Sequence, residues 1–301
     1  MNAVPTPSIG RPGGPAAVRS LRMDDVVATY AVDGILRLRP EKFFPAIPSG
    51  HWSQLCTPNG DMLMSAGGLL IELAGSTVLI DTGVGVMKTT FMFGSVDCGS
   101  MIDVLGSLGV SPADIDVVAF THLHFDHAGW AFLNGVKTFP NARYTLAAEE
   151  WAPHARGEHT EGSASPSNNL SHFASDQTEP VLFCDGDEIV PDMRAVVTSG
   201  HTPGHTSYVI TSRAGRRLIV FGDAFHSLVQ LTHPYWLSAA DSDAEGVISA
   251  RHRLLAQLCE PDTLGFGFHF GDQPFGRVIV AAAGELTWEP VPSSVLAPPP
   301  R

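Results

Sequence analysis

The stretch that decides the fold is residues 115–129, IDVVAFTHLHFDHAG. Its first half, residues 115–120, is an apolar run of the kind that forms a buried strand. The histidine cluster follows directly, so we expect it at the end of that strand. His122 and His124 are two residues apart and can point to the same side from extended backbone. A polar loop with a few surface histidines is the alternative, which the buried strand before the cluster disfavours.

The second half of the cluster points elsewhere. Asp126 and His127 are adjacent, so their side chains must diverge from each other and approach a second point. Imidazole and carboxylate groups are ligands that suit zinc and similar first-row metals. The spacing therefore suggests two metal ions side by side.

Composition limits the partners of this chain. It has 301 residues, 44% of them hydrophobic, which is enough for a sizeable core. The net charge is −13 with only 18 Lys and Arg, which argues against nucleic acid and against an anionic membrane surface. We therefore expect a small-molecule substrate, and a second copy of the chain, forming a homodimer, is the macromolecular partner left open.

The cysteines and the termini bear on localisation. Four cysteines are scattered without a Cys-x-x-Cys pair, which fits free thiols in a reducing compartment. The N-terminus lacks the apolar core of a secretory signal, and no stretch approaches the ~18 apolar residues of a spanning helix. These features predict a soluble, cytoplasmic protein.

Strand patterns dominate both halves of the chain. We predict an arm at residues 1–20 that is disordered or loosely docked, a single domain over residues 21–290, and an unstructured Pro-rich tail over residues 291–301. Strand runs with a few helices between them suggest two facing sheets with helices outside, which is an α/β four-layer αββα sandwich.

Several local predictions accompany this reading of the fold. Two hairpins are expected in the first half, with turns at Asp33-Gly34 and at residues 74–76. Three further segments are interpreted as an apolar loop (84–98), a long surface loop with solvated histidines (155–178) and a turn between two strands (181–190).

Metal-type residues recur at three later strand ends. They are His201 in the run HTPGH, Asp223 in GDA, and His269. Together with THLHFDHAG, these motifs resemble the metallo-β-lactamase-fold hydrolases over roughly residues 60–285. A protein that keeps the fold and the metals but serves as a binding or sensing module is the alternative from a different class.

The resemblance implies a role for each position. His122, His124 and His201 would hold the first metal, and Asp126, His127 and His269 the second, with Asp223 between the two. Asp81, at the end of a strand in Asp-Thr-Gly, and His205 would support the ligands from outside. The expected cofactor is a pair of divalent ions, zinc first, with Mn, Fe or Co also open. Two such ions ~3.5–4 Å apart can convert a shared water into hydroxide at neutral pH.

Within the family, the sequence is most similar to the branch of methyl parathion hydrolase and its lactonase relatives, through GDAFH at residues 222–226. N-acyl-homoserine lactonases have a tyrosine three residues past the bridging aspartate, where this chain has His226. We predict catalytic roles for Asp126 and His226, on a neutral and fairly apolar lactone, ester or phosphotriester. β-Lactamase or thioesterase activity is the alternative. The aromatic residues expected at the mouth are Phe91, Phe93, Trp130, Phe132, Trp151, Phe173 and Trp236.

Overall fold

The structure is a computed structural model that describes residues 6–52, 55–156, 158, 170–173, 179–282 and 284–299. Its strands are β1 (Val18–Met23), β2 (Val26–Leu38), β3 (Met62–Leu73), β4 (Ser76–Ile80), β5 (Met87–Phe91), β6 (Gly94–Cys98), β7 (Val117–Ala119), β8 (Phe132–Leu133), β9 (Val136–Lys137), β10 (Arg143–Ala147), β11 (Val181–Phe183), β12 (Glu188–Val190), β13 (Met193–Val197), β14 (Thr206–Thr211), β15 (Arg217–Val220), β16 (Thr263–Phe266), β17 (Phe275–Val280), β18 (Leu286–Pro290) and β19 (Ser294–Ala297).

The helices are short, apart from the last one. They are α1 (Pro40–Phe43), α2 (Met101–Ser107), α3 (Phe125–Ala128), α4 (Ala148–Ala155), α5 (Leu170–Phe173), α6 (Val229–Thr232) and α7 (Ala244–Leu258), with 3₁₀ turns at Ser49–Trp52, Pro112–Asp114 and Gly222–Ala224. No helix in the described ranges is long and apolar enough to cross a lipid bilayer.

The strands form two large sheets. In the first, the order is β11-β10-β7-β4-β3-β2-β1-β19, and β6 pairs with both β2 and β5. The order in the second is β12-β13-β14-β15-β16-β17-β18. The strands β4, β7 and β10 run parallel to one another. Their carboxyl ends therefore lie at one edge, where the chain leaves the sheet in loops.

Alternating burial makes the four layers. Val78 and Ile80 of β4 enter the cluster between the sheets, whereas Leu79 packs with α2 on the outer side. In the second sheet Val220 points inward and Ile219 packs against α7. This period of two is what a strand buried on both faces requires. The predicted αββα sandwich is confirmed.

The first hairpin prediction is wrong. The strand β2 continues through Asp33, with an irregular register between Val32 and Gly34. Burial is complete at Asp33, and its carboxylate accepts hydrogen bonds from the backbone N–H of Val84 at 2.9 Å and from the Trp130 indole at 2.8 Å. An Asp-Gly pair favours a turn through local conformation only. Here the hydrogen bonds from distant donors to Asp33, at a bulge in the strand, outweigh that local preference.

Two other segments differ from their predictions. Residues 84–98, expected to be an apolar loop, contain the antiparallel pair β5–β6. The expected turn over residues 181–190 does not join two paired strands, because β11 lies in the first sheet and β12 in the second. Of the stretch at 155–178, His159 lies outside the described residues. The turn at residues 74–76 does join paired strands, β3 and β4.

Both ends of the described chain are attached to the domain. Arg19 is buried, and its guanidinium pairs with Asp272 at 2.7 Å. The tail predicted to be unstructured contains β19, which pairs with β1. Prolines at 290, 292 and 298–300 flank this strand and hid it, although the strand itself, SVLA, contains none.

Candidate metal centre

The first set of ligand-type residues comes from both sheets. His122 and His124 follow β7, and His201 follows β13. One ring nitrogen of each, together with a carboxylate oxygen of Asp223, lies in a buried group whose atoms are all within 4.8 Å of one another. His124 contributes Nδ1, which is 2.9 Å from Nε2 of His201. The three histidines predicted for the first metal are thus brought together.

The second set is assembled in the same way. Asp126 and His127 lie in the single turn α3, which makes the adjacent side chains diverge, and His269 follows β16. All three are buried and offer ligand atoms within 4.8 Å of one another. Nε2 of His269 is 3.7 Å from Oδ2 of Asp126. The two groups are distinct, as the divergence of Asp126 and His127 predicts.

Asp223 lies between the two sets. Its Oδ1 is 3.2 Å from Nε2 of His127 and 3.0 Å from Nε2 of His269. Its Oδ2 is 3.3 Å from Nε2 of His201 and 3.8 Å from that of His122. Each carboxylate oxygen therefore faces a different set, as a bridging ligand must.

Hydrogen bonds on the far side of the rings set their orientation. Nδ1 of His127 is 2.7 Å from the Asp81 carboxylate, and Nδ1 of His201 is 2.9 Å from that of Asp241. Nδ1 of His269 is 2.8 Å from the carbonyl oxygen of Ser65. Because these oxygens only accept, each Nδ1 donates its proton to them, and each Nε2 is the ring atom that faces Asp223 and remains for a metal.

The hydroxyl of Thr121 sets the tautomer of His122, because it lies between that ring and the carboxylate of Asp81. It donates to Asp81 at 2.7 Å, and it is 3.0 Å from Nδ1 of His122. Since its one proton goes to Asp81, the hydroxyl accepts from Nδ1 of His122, and Nε2 is again left free to bind. Asp81 therefore supports one histidine of each set.

Four buried atoms without hydrogen bonds are ones that a metal pair would satisfy. Among the described residues, Nε2 of His122, His127 and His269 and Oδ1 of Asp223 are buried without a hydrogen-bond partner. Such atoms are rare in folded proteins unless an ion or water completes them. Neutral imidazoles around one carboxylate suit divalent first-row metals. The residues present therefore fit two ions.

Electrostatics keep several rings in the neutral form that binds metal. Burial, reinforced by the neighbouring imidazoles, holds the pKa of His122 and that of His124 well below the usual range. Burial also lowers the pKa of His205 to about 3. Burial opposes charge on Asp223, but the imidazoles of His127 and His269 nevertheless hold the pKa of its carboxyl well below the usual range.

His205 supports the bridging residue without joining either group. Its Nε2 accepts the backbone N–H of Asp223 at 2.9 Å, and its Nδ1 is 2.9 Å from Oγ1 of Thr198. The close packing requires glycine at 222, where φ is +53° and an added Cβ would lie 2.5 Å from Nε2 of His205. The predicted supporting position of His205 agrees with this arrangement.

His226 lies inside the cluster, but its ring nitrogens have no hydrogen-bond partner among the described residues. Its Nε2 is 3.1 Å from Oδ2 of Asp223, and neither ring nitrogen makes a hydrogen bond. Its ring stacks on that of His269, with 5.8 Å between the centroids, and its edge contacts Phe43 at 5.4 Å. It is therefore buried at the centre and available to a bound molecule.

The predicted aromatic mouth separates into two groups. Phe91, Phe93 and Trp236 pack in the cluster that includes Phe43 and Phe125 and lies beside His226. The other four lie in the cluster on the outer side of the first sheet, which also contains Leu123 and Ala128 of the histidine loop: Trp130, Phe132, Trp151 and Phe173. Apolar composition alone did not reveal which face of the sheet each ring would cover.

Sequence reasoning missed three buried charges beside the ligands. Asp241 accepts from His201, and Arg251 of α7 lies 3.4 Å from Asp241. Glu150 of α4 accepts the backbone N–H of Leu123 at 2.9 Å. Nothing in one sequence pairs Asp241 with a histidine 40 residues away.

Comparison with known proteins gives a family. The model of the metallo-beta-lactamase superfamily matches residues 69–266. An N-acyl homoserine lactonase of Bacillus sp is 27% identical over 222 residues, which cover 69% of this chain and 82% of that protein. The N-acyl homoserine lactonase AttM of Agrobacterium fabrum is 26% identical over 137 residues, which cover 42% of this chain and 48% of that protein.

Solved structures agree on the fold. The hydrolase AbOPH of the beta lactamase superfamily superposes with a TM-score of 0.76 at 24% identity, covering 92% of this chain and 98% of that one. AidC, a dizinc quorum-quenching lactonase solved with a product, gives a TM-score of 0.76 at 21% identity with the same coverage of 92% and 98%. At these identities the likeness concerns the fold.

Proposed function

Because this chain belongs to the metallo-beta-lactamase superfamily, we propose that it is a metal-dependent hydrolase of neutral, fairly apolar lactones and esters. The observation that carries the proposal is the convergence of two buried ligand sets on the two oxygens of Asp223. We assign His122, His124 and His201 to the first metal and Asp126, His127 and His269 to the second. Zinc is the proposed metal, since the donors are mostly neutral imidazoles.

When bound, a pair of divalent ions supplies a hydroxide-like nucleophile at neutral pH and polarises the carbonyl oxygen of the substrate. The protein's part is to keep the ligands in place and the substrate oriented. Asp126 lies at the second set, and we place it among the residues that contact the reacting centre. His226 faces Oδ2 of Asp223, and we propose that it orients the substrate or donates a proton to the leaving oxygen.

The mouth favours an uncharged substrate. Phe43, Phe93 and Phe91 form a line of edge contacts that leads outward from His226. Two described lysines that flank it are exposed and engaged elsewhere: Lys42 donates to the Met92 carbonyl, and Lys88 pairs with Asp97. Apolar groups gain ~25 cal/mol per Å² buried against such rings, whereas a substrate carboxylate would find no counter-ion on either lysine.

The buried Arg251 does not supply that counter-ion. Its guanidinium is fully enclosed and donates to the carbonyl oxygens of Ala224, Pro234 and Trp236 and to Asp241. Its donors are thus occupied within the protein. The nature of the curated relatives, N-acyl homoserine lactonases, supports a lactone as the first substrate to test. Aryl esters and phosphotriesters share the neutral, apolar character and come next.

The test compares neutral and anionic substrates on one zinc-loaded preparation. We expect kcat/KM for an aliphatic lactone and for N-hexanoyl homoserine lactone to exceed that for benzylpenicillin by about tenfold or more, since an ion pair worth ~1.5–3 kcal/mol is missing for the penicillin carboxylate. Preference for penicillin would overturn the neutral-substrate proposal. The same preparation after chelation is the control, and equal turnover without metal would overturn the metal-dependent hydrolase itself.

A further inference from the structure

The carboxylate of Glu150 joins the two loops that carry the first ligand set. One oxygen, Oε1, accepts the backbone N–H of Leu123, which lies between His122 and His124. The other, Oε2, accepts the hydroxyl of Thr202 at 2.7 Å and the backbone N–H of Gly204 at 3.0 Å. These donors belong to the loop that begins at His201. A single side chain therefore connects a loop of the first sheet to a loop of the second.

We propose that Glu150 is a positioning residue that sets the spacing between the His122–His124 loop and the His201 loop, and so controls the affinity of the first metal. The inference rests on the proposed dinuclear centre and extends it to a residue that contacts no ligand atom. Glu150 is 27 residues from Leu123 and 52 residues from Thr202 along the sequence, so it connects loops that lie far apart in the chain.

The packing around Glu150 argues for a fixed spacing. The residue is only 3% exposed, and burial raises the pKa of its carboxyl. An added Cβ at Gly204 would lie 2.0 Å from the backbone nitrogen of Glu150. The His201 loop therefore rests directly on the start of α4, where only glycine fits. A buried carboxylate is costly unless its lone pairs are used, and here three donors use them.

The two carboxylate oxygens of Glu150 bind different loops, so substitution by glutamine tests the proposal directly. In Glu150→Gln, the amide oxygen can replace only one carboxylate oxygen. The NH₂ group then faces a donor, either the N–H of Leu123 or the pair at Thr202 and Gly204. One loop is released whichever way the amide turns, although the side chain keeps its size. The matched control is Glu149→Gln, which removes the same charge one residue earlier on the exposed face of α4.

The experiment measures zinc bound per chain and the stepwise zinc affinities of wild type, Glu150→Gln and Glu149→Gln. We expect wild type and Glu149→Gln to bind two ions alike. In Glu150→Gln, one affinity should fall by ~10–100-fold, the range for residues that orient metal ligands, and the other should stay within a few-fold. Circular dichroism of the metal-free proteins shows whether the fold is kept.

Three outcomes are decisive. Unchanged zinc affinities in a folded Glu150→Gln variant would overturn the positioning role and leave the proposed function intact. Failure of wild type to bind two ions would overturn the proposed centre and the inference together. If Glu150→Gln does not fold, Thr202→Val removes a single donor at nearly the same volume. It should weaken one zinc affinity several-fold, and wild-type affinities in that variant would overturn the inference.

Discussion

The two ligand sets around Asp223 are supported by different kinds of partner. In the first set, His201 is hydrogen-bonded to Asp241, and Asp241 in turn lies beside the buried guanidinium of Arg251 in α7. In the second set, His127 is hydrogen-bonded to Asp81, which has no arginine or lysine within ion-pair distance in the described ranges. The first set therefore depends on a buried ion pair, whereas Asp81 of the second set is held by neutral donors besides His127, the backbone N–H and the hydroxyl of Thr121.

The remaining histidines deepen the contrast. His269 of the second set is oriented by a backbone carbonyl, that of Ser65 in β3, which no side-chain substitution removes. The loops of the first set are joined by Glu150, a side chain. The first set is thus held mainly by replaceable side chains and the second partly by the backbone. We expect the first metal to be the more sensitive of the two to mutation.

The most severe test removes what the two sets share. In Asp223→Ala both carboxylate oxygens disappear, and with them the one group that faces His201 on one side and His269 on the other. We expect elemental analysis to show at least one ion lost and nearly all lactone turnover gone. Two ions and wild-type turnover in this variant would show that Asp223 does not bridge the sets, and the comparison between them would lose its basis.

The next test concerns His226, an imidazole outside both ligand sets. His226 faces Oδ2 of Asp223, the oxygen on the side of the first set, and has both ring nitrogens unpaired. If it orients the substrate or protonates the leaving group, His226→Ala should lower kcat by ~10²–10⁴-fold while two ions remain bound. His252→Ala, an exposed histidine of α7, is the control.

Two results would reassign His226. A decrease of less than about threefold, far below the usual range for such groups, would make it a histidine packed beside Phe43. Loss of an ion would instead make it a further ligand of the first set, and the two sets would then differ in number of donors as well as in support.

The positions of the ligand-type residues could be singled out because their signals are local, whereas the assignment of His201, Asp223 and His269 to the two sets came from the family resemblance. Residue type, two-residue spacing and a preceding strand placed His122 and His124, and strand ends marked His201 and His269. The strand runs in each half of the chain likewise predicted the two sheets. What spacing cannot tell is which oxygen of Asp223 faces which histidine, since that depends on how the two sheets meet.

Apart from Asp81 and His205, which the family resemblance implied, the supports were not predictable, because each joins positions far apart in the chain. Asp33 lies in an Asp-Gly pair that locally favours a hairpin, yet its partner Trp130 is 97 residues away. Arg251 occupies the apolar side of an amphipathic helix, where a charged residue is normally expected to face solvent. Only the assembled fold supplies the carbonyl groups that satisfy it.

The finest test of the comparison replaces one supporting acid at a time. Asp81→Asn keeps the backbone, since asparagine tolerates the φ of 59° found there, but its amide group turns a donor toward Thr121 or His127. Asp241→Asn does the same beside His201. Each should weaken one zinc affinity more than the other, by ~10–100-fold. The ion most affected should differ between the two variants, because Asp81 contacts His127 directly and His122 only through Thr121.

Double variants identify that ion, and the metal-free proteins reveal the ion pair. Asp81→Asn should add little to His269→Ala and should remove the remaining ion from His124→Ala, whereas Asp241→Asn should do the reverse.

Only Asp241→Asn leaves Arg251 buried without its carboxylate, a change worth about 3–5 kcal/mol in buried pairs. With three carbonyl acceptors left to Arg251, we expect the lower end of that range, measured as a decrease in the free energy of unfolding of the metal-free protein. Asp103→Asn on the surface of α2 is the control for both. Equal destabilisation by Asp81→Asn and Asp241→Asn would mean that the ion pair does not set the first ligand set apart.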